Sequence, residues 1–278
     1  MLADVIDALR CPHCREAFTL DCGTARCASG HAFDVARQGH LNLVAGRPAT
    51  TGDTADMVAA RADFLATGNY QPIRDALAKA AAGRRRGLAV EVGAGTAYYL
   101  AGVVGDGAGV ALDVSPYAAR RAAKAHPRIG SVQTDAWQAL PVRDRVADVV
   151  LSVFAPRNPA EIARILTPDG VLLVVTPNQP HLRELVGALG LIGVDEHKDR
   201  RLRDSLGARF ARTAATELTW AMELDRRAVG QLVAMGPSAW HTDAGALAAR
   251  VAELAEPVAV TASVTVSAWC ALSESVRM

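Results

Sequence analysis

Five short apolar runs between residues 88 and 176, separated by helical patterns and turns, constrain the fold of this chain more than any other feature. Leu88–Val92 ends at glycines and leads into a helix from about Thr96. Val110–Leu112 ends at Asp113, ahead of a helix from Ser115 to about Ala125, and Ser131–Thr134 ends at Asp135. Ala147–Phe154 precedes a helix over Pro159–Leu166; after the turn Pro168-Asp169-Gly170, Val171–Thr176 precedes another helix from about Pro180. Strands that are apolar on both faces need cover on both faces, so the alternation predicts a parallel sheet between two layers. Thr216–Leu224 and Val258–Ala271 read as a closing antiparallel pair around a short helix from Asp225. The expected fold is α/β, with a seven-stranded, mostly parallel sheet and an antiparallel edge pair.

Ahead of the sheet, Thr54 to Ala82 reads as two helices. Asp53 or Thr54 caps the first, whose Met57, Val58, Phe64 and Leu65 fall near helical spacing; Gly68-Asn69 breaks it, and Pro72 suits the first turn of the second. Gly83 and Arg84-Arg85-Arg86 form an exposed connection, and the charged stretch 193–212 reads as an insertion or lid. A chain of 278 residues holds one full core and a small appendage, which suggests a module over 1–50, a helical connection over 51–86 and the main domain over 87–278. With 30 basic and 29 acidic residues the formal charge is +1. That balance gives no support to a large nonspecific polyanion-binding surface, while leaving room for a local basic groove. There is no tripartite leader and no run of eighteen apolar residues, so a cytoplasmic protein without membrane contact is expected.

The appendage carries Cys11-Pro12-His13-Cys14 and Cys27-Ala28-Ser29-Gly30-His31. Two thiols two residues apart form a knuckle on one tetrahedral ion, and a second pair at the end of a short hairpin closes the shell. Such a site has four protein ligands and no vacancy for water, which makes it structural. Four of the five cysteines fall in the first thirty positions, a pattern suited to a metal in a reducing compartment rather than a disulfide framework. Spacing alone leaves Cys22 with Cys27 open as the second pair; Cys270 reads as a core residue.

Glu91-Val92-Gly93-Ala94-Gly95-Thr96-Ala97 follows the first of the five runs and opens a helix, where doubly wound folds bind ligands. A dinucleotide fingerprint wants a third glycine where this chain has Tyr98. An acid two places before the first glycine instead matches S-adenosylmethionine sites, where Glu91 meets the methionine amino group. Asp113 is placed for the ribose hydroxyls and Asp135-Ala136 for the adenine amino group. Acids at strand ends also cap helices; three at three successive strand ends favour the ligand. The expected domain is thus a Rossmann-like class I methyltransferase. No cysteine ends the fourth or fifth run, so there is no nucleophile for attack on a pyrimidine carbon. Val153-Phe154-Ala155-Pro156-Arg157 also lacks the acid/amide-Pro-Pro-aromatic tetrad of exocyclic-amine methyltransferases. An endocyclic nitrogen, an oxygen or a carbon acceptor remains.

The linked set of motifs resembles the 23S rRNA (guanine-N1)-methyltransferases that modify a guanine in hairpin 35, most closely the actinobacterial branch linked to tylosin resistance. It comprises the Cys/His cluster, Phe33-Asp34, Gly39-His40-Leu41-Asn42-Leu43, Gly52-Asp53-Thr54-Ala55-Asp56-Met57 and Arg61 with Phe64-Leu65. It continues through Gly68-Asn69-Tyr70-Gln71-Pro72, Leu112-Asp113-Val114-Ser115, Ala155-Pro156, Thr176-Pro177 and His181-Leu182. The resemblance implies Cys11, Cys14, Cys27 and His31 as ligands of one structural zinc. It also implies that Tyr70, the loop residues Gly93, Ala94, Gly95 and Thr96 through Tyr99-Leu100, Asp113 and His181 contact the methyl donor. Two positions depart from the family pattern: His40 and Phe154 stand where tyrosines are usual, which leaves Phe154 stacking or packing only.

The expected reaction is methyl transfer from S-adenosylmethionine to guanine N1 in hairpin 35 of 23S rRNA, conferring tylosin-type macrolide resistance. The base would leave its pairing and stack near Phe154, Pro156 and Trp137. The zinc module and residues 193–212 would grip the RNA, with Arg200, Arg201 and Arg203 diluted by neighbouring acids, and a homodimer would add a second RNA-contacting surface. No general base is identifiable from the sequence. Two other readings are a methyltransferase of a small metabolite, with the zinc module serving stability alone, and an RNA-binding protein without turnover.

Overall fold

The order of elements follows from local signals that the packing then exploits. The computed structural model describes residues 1–46, 48, 51–84, 87–236 and 244–272. It opens with a 3-10 turn at Ile6–Ala8 and three short antiparallel strands, β1 (Phe18–Asp21), β2 (Thr24–Cys27) and β3 (Ala32–Asp34), which form a sheet of their own. Next come β4 (His40–Asn42) and the helices α1 (Ala55–Ala66) and α2 (Gln71–Ala80). The alternating part runs β5 (Leu88–Val92), α3 (Tyr98–Val103), β6 (Ala108–Asp113), α4 (Pro116–Ala122), β7 (Ile129–Gln133), β8 (Ala147–Val153), α5 (Pro159–Ile165), β9 (Leu166–Pro177) and α6 (Arg183–Leu189). The chain closes through α7 (Lys198–Gly207), β10 (Phe210–Leu224), α8 (Arg226–Ala234), α9 (Ala244–Ala252) and β11 (Val258–Ala271).

Caps fix where several helices start. Thr54 Oγ1 accepts the Met57 N–H at the head of α1, Ser115 Oγ the Ala118 N–H at α4, Asn158 the Glu161 N–H at α5 and Asp225 the Ala228 N–H at α8. Prolines at 72, 116 and 159 sit in first turns, where their missing N–H has no intrahelical acceptor to lose.

The main sheet has the order β10-β11-β9-β8-β5-β6-β7-β4. The expected seven strands are therefore eight. The additional one, β4, comes from the N-terminal segment and pairs parallel to β7, with His40, Leu41 and Asn42 opposite Ser131, Val132 and Gln133. The closing antiparallel pair is present, but β10 begins at Phe210, six residues before the expected Thr216, with a register shift between Arg212 and Ala214. The expected turn at 168–170 lies inside β9, where the pairing with β8 jumps from Leu166 to Val171. The stretch 193–212 holds α7, and a second helix, α9, precedes β11. Arg85 and Arg86 of the expected connection lie outside the described residues; Arg84 Nε donates to the Asp169 carbonyl at 3.1 Å.

Side chains alternate between two cores. Ala89, Ala111, Val171, Leu173 and Val175 face Phe64, Tyr70, Leu77, Leu100 and Val229, under the helices α1, α2, α3, α6 and α8. Val90, Val92, Val110, Leu112, Leu172 and Val174 face Ile162, Leu41, Leu9 and Phe18. On that second face the N-terminal module packs beside the helices α5 and α7, with Cys11 and Cys27 part of the core. Arg10 N–H donates to the Pro141 carbonyl, Arg143 N–H to that of Ala8, and the Arg10 guanidinium pairs with Asp144 at 2.9 Å.

Candidate active site and metal centre

In the metal centre, one ligand atom from each of Cys11, Cys14, Cys27 and His31 lies within 4.8 Å of every other. Cys14 Sγ and Cys27 Sγ are 3.5 Å apart, and His31 Nδ1 is 3.4 Å from Cys27 Sγ and 3.6 Å from Cys11 Sγ. A tetrahedron with zinc–sulfur bonds of about 2.3 Å has edges of about 3.7 Å, so the four residues fit that ion. Cys22 is exposed in the β1–β2 turn and stands outside the group, which closes the alternative left by the spacing. Glu16 Oε2 accepts from Ser29 N–H at 2.8 Å and Ser29 Oγ at 2.9 Å, tying one knuckle to the other. The Glu16 backbone N–H is the main cause that brings the Cys14 thiol down to about 7, toward the thiolate a metal needs. His13, outside the ligand set, stacks on Phe33 at 5.8 Å.

At the carboxyl edge of the sheet, the chain turns one way from β5 to β6 and the other way at β8, and the crevice between is the topological switch point. Gly93 leaves β5 with φ +71°, and a Cβ there would sit 2.6 Å from that of Ala155, so the residue must be glycine for the β5 and β8 loops to meet. Gly93 and Ala94 N–H groups both donate to the Leu112 carbonyl. Among the described residues six non-glycines have positive φ, and three of these, Ala97, Phe154 and Leu182, stand on this rim. Such backbone costs on the order of 1 kcal/mol or more per residue and persists where surrounding packing enforces it.

The three predicted acids reach the rim in different settings. Glu91 is 1% exposed on the face that carries Tyr70 and Phe64, and its Oε2 accepts the Leu100 N–H at 3.1 Å. Burial pushes its carboxyl up to about 8. Asp113 Oδ2 accepts Gly95 N–H at 2.8 Å and Oδ1 accepts Ser115 N–H at 2.9 Å; burial raises its pKa above the ordinary value. Each oxygen can accept a second hydrogen bond, and the side chain lines the crevice. Asp135 Oδ1 accepts the Trp137 N–H at 2.9 Å. Gly93, Gly95, Asp113, Asp135, Ala136, Trp137, Phe154 and Pro156 line one cavity of about 210 Å³. Ala94, Thr96 and Tyr99 line a smaller one beside Glu91 and Tyr70. Leu100 is fully buried below the loop and offers only its N–H, to Glu91.

Tyr70 and His181 are brought together from α2's head and the turn before α6. Ser263 N–H donates to His181 Nδ1 at 3.1 Å, so the ring proton is on Nε2 and goes to Tyr70 Oη at 3.2 Å. Burial holds the imidazole neutral, with a pKa down to about 4. Phe154 stacks over His181 at 6.0 Å. Phe154 and Trp137 are two of the five exposed large hydrophobics among the described residues, and both line the larger of these cavities.

Sequence reasoning assigned no role to Arg61, which the structure puts at the centre. Its Nη2 pairs with Asp53 at 2.7 Å and donates to the Met235 carbonyl at 2.8 Å, while its buried Nε has no partner among the described residues. The available signal was its spacing with Met57, Phe64 and Leu65, all buried on one face of α1. Asp53 is held in turn: Ser115 Oγ donates to its carbonyl at 2.6 Å, and Gly52 packs so closely on Ser115 that a Cβ would lie 2.6 Å from its nitrogen. A buried acid with no salt bridge and a buried guanidinium nitrogen with no acceptor among the described residues, close enough for Arg61 to act on Glu91, suit the ammonium and carboxylate of an amino-acid moiety. With the Asp113 carboxylate beside them on the same rim, the groups fit the amino-acid and ribose ends of S-adenosylmethionine.

Residues 9–46 match the family described as "RlmA, N-terminal", a zinc ribbon, and residues 90–174 match the family described as "Methyltransferase domain". The chain is 48% identical over 272 residues to a 23S rRNA (guanine(748)-N(1))-methyltransferase of Streptomyces fradiae, covering 95% of this chain and 97% of that protein. It is 47% identical over 292 residues to a putative 23S rRNA (guanine-N(1)-)-methyltransferase of Micromonospora griseorubida, covering 97% and 99%. A third relative, from Bacillus subtilis and with the same putative activity, is 30% identical over 83% of this chain and 86% of its own length. Joined to a zinc ribbon and a methyl-donor rim on one sheet, these matches show that the chain belongs to the 23S rRNA (guanine-N1)-methyltransferase family, enzymes dependent on S-adenosylmethionine.

Proposed function

We propose that this chain methylates N1 of a guanine in hairpin 35 of 23S rRNA in the cytoplasm, and that the modification confers tylosin-type macrolide resistance. The observation that carries the reading is the near end-to-end match to the Streptomyces fradiae enzyme, ribbon and rim included. Bound at the rim, S-adenosylmethionine supplies a sulfonium methyl for in-line displacement. Asp113 would hold its ribose hydroxyls and Asp135-Ala136 its adenine amino group. Glu91 and Arg61 would hold its amino and carboxylate groups, against Tyr70, His181 and the loop from Gly93 to Tyr99. Phe154, Pro156 and Trp137 form the apolar wall for a guanine taken out of its pairing, at a cost of a few kcal/mol. Alignment of N1 with the methyl supplies much of the rate.

The zinc module over residues 1–50 would recognise the hairpin and the 193–212 segment would grip its backbone. A homodimer would add a second contact surface to a chain of formal charge +1. Reverse transcription on 23S rRNA from cells with and without the chain tests the reading, because a methyl on N1 blocks pairing. A new stop beside a hairpin 35 guanine, lost with Asp113→Ala, is expected. Stops elsewhere, or methyl entering only small molecules, would overturn it.

A further inference from the structure

Resting on transfer to guanine N1, we infer that Lys198, the first residue of α7, is the general base that removes the N1 proton. Neutral guanine carries a hydrogen on N1, so that proton has to leave as the methyl arrives. Beside the donor rim lies a second cavity of about 510 Å³ that shares Phe154, Asp53 and Arg61 with it. Tyr70, Phe154 and His181 line it together with Asp195 from the turn before α7 and Lys198 and Arg201 of α7, and Lys198 is close enough to act on His181. A base stacked on Phe154 would have its edge facing α7.

The other titratable groups of that cavity each have a partner in the fold. Asp53 pairs with Arg61, and Asp195 pairs with Arg201 at 2.6 Å and accepts the His197 N–H at 2.7 Å. His181 has its Nδ1 lone pair on Ser263 N–H and its Nε2 proton on Tyr70, so it has no free lone pair. Tyr70 is a buried phenol whose pKa is raised further above its ordinary value. Lys198 Nζ has no hydrogen-bond or ion-pair partner among the described residues, and the side chain is half-buried.

Four charged or titratable groups face Lys198: Arg157 from the β8–α5 turn, Arg201 on its own helix, Asp195 before it and His181 across the cavity. Burial is the main cause that lowers its pKa, the two guanidinium groups add to it, and Asp195 opposes. In the step, the uncharged Nζ takes the N1 proton and the N1 electron pair bonds to the methyl carbon. The pair of the broken sulfur–carbon bond stays on sulfur as a thioether. One positive charge enters on sulfonium and one leaves on the Lys198 ammonium, which passes its proton to water after product release.

The test is single-turnover methyl transfer by the full chain into a hairpin 35 transcript, followed from neutral to alkaline pH. Lys198→Ala should lower the rate at neutral pH by about 10²-fold or more, with unchanged calorimetric affinity for S-adenosylmethionine. Added ethylamine should restore part of the loss, whereas Lys198→Arg, always protonated, should not. Lys198→Gln replaces the alanine variant if the latter unfolds. A rate close to wild type, or a loss that no amine relieves and that leaves the pH profile unmoved, would overturn the role. A wild-type protein that methylates no guanine N1 would instead remove the reading beneath it.

Discussion

At the metal centre the chain supplies every ligand for one ion: three sulfurs and one nitrogen stand at tetrahedral spacing, and Glu16 with Ser29 stitches the two halves together. At the sheet rim the balance is deliberately open. Among the described residues Glu91 is buried without a salt bridge and Arg61 Nε without an acceptor, and Asp113 spends one lone pair of each oxygen on the backbone. The first arrangement belongs to a part that folds around its ligand, the second to a part that folds first and is completed by a ligand that comes and goes.

Breaking the metal centre should have the largest effect. Cys27→Ser, measured by metal content and hydrogen exchange, should lose the bound zinc and with it folding free energy of order 10 kcal/mol at the ribbon. Exchange should rise at residues 1–43 and along the β4–β7 edge, since Arg10, Ala8 and β4 are tied to the sheet; a ribbon that stays protected without metal would erase the contrast. At the rim, Asp113→Ala should leave the fold intact and weaken S-adenosylmethionine binding by about 10²-fold in calorimetry, as loss of charge-assisted hydrogen bonds implies.

The smallest effect sharpens the comparison through pH. Glu91 is protonated below about 8 in the empty site. Capture of an ammonium there needs the carboxylate, so donor affinity should climb as pH approaches that value, by at most about tenfold per unit. In the empty protein the same raised pKa has the opposite sign: stability from this group falls as pH rises from the unfolded carboxylate range toward about 8. Glu91→Gln should flatten both profiles, read by calorimetry and by thermal unfolding; profiles unchanged by the substitution would mean that Glu91 is a structural acid alone.

What could be read from the residues were the parts governed by local signals. Thr54, Ser115 and Asp225 cap the helices they precede, and β11 begins and ends where the Val/Thr-rich run does. The ring of acids at strand ends is legible because strand and acid are adjacent in sequence. β4 was not legible: three residues with Leu41 alone apolar and buried become a strand only because β7 offers an open edge. Nor was the first half of β10, where exposed Ala211 to Glu217 carry no alternation and take their form from β11. Arg61 and Lys198 escaped for a related reason. Each is one charge among many in the sequence, and what sets it apart is the neighbours, or the lack of them, that only the folded chain assembles.

The pairing of β4 with β7 has a mechanical consequence. The strand that leaves the ribbon pairs with β7 in the sheet whose β5, β6 and β8 end at the donor rim. Ribbon and rim therefore form a fixed caliper rather than two hands on a tether. Under the proposed function, RNA held by the ribbon is presented to the rim at a set span, so lengthening the link around residues 35–40 should displace the methylated nucleotide rather than merely weaken binding.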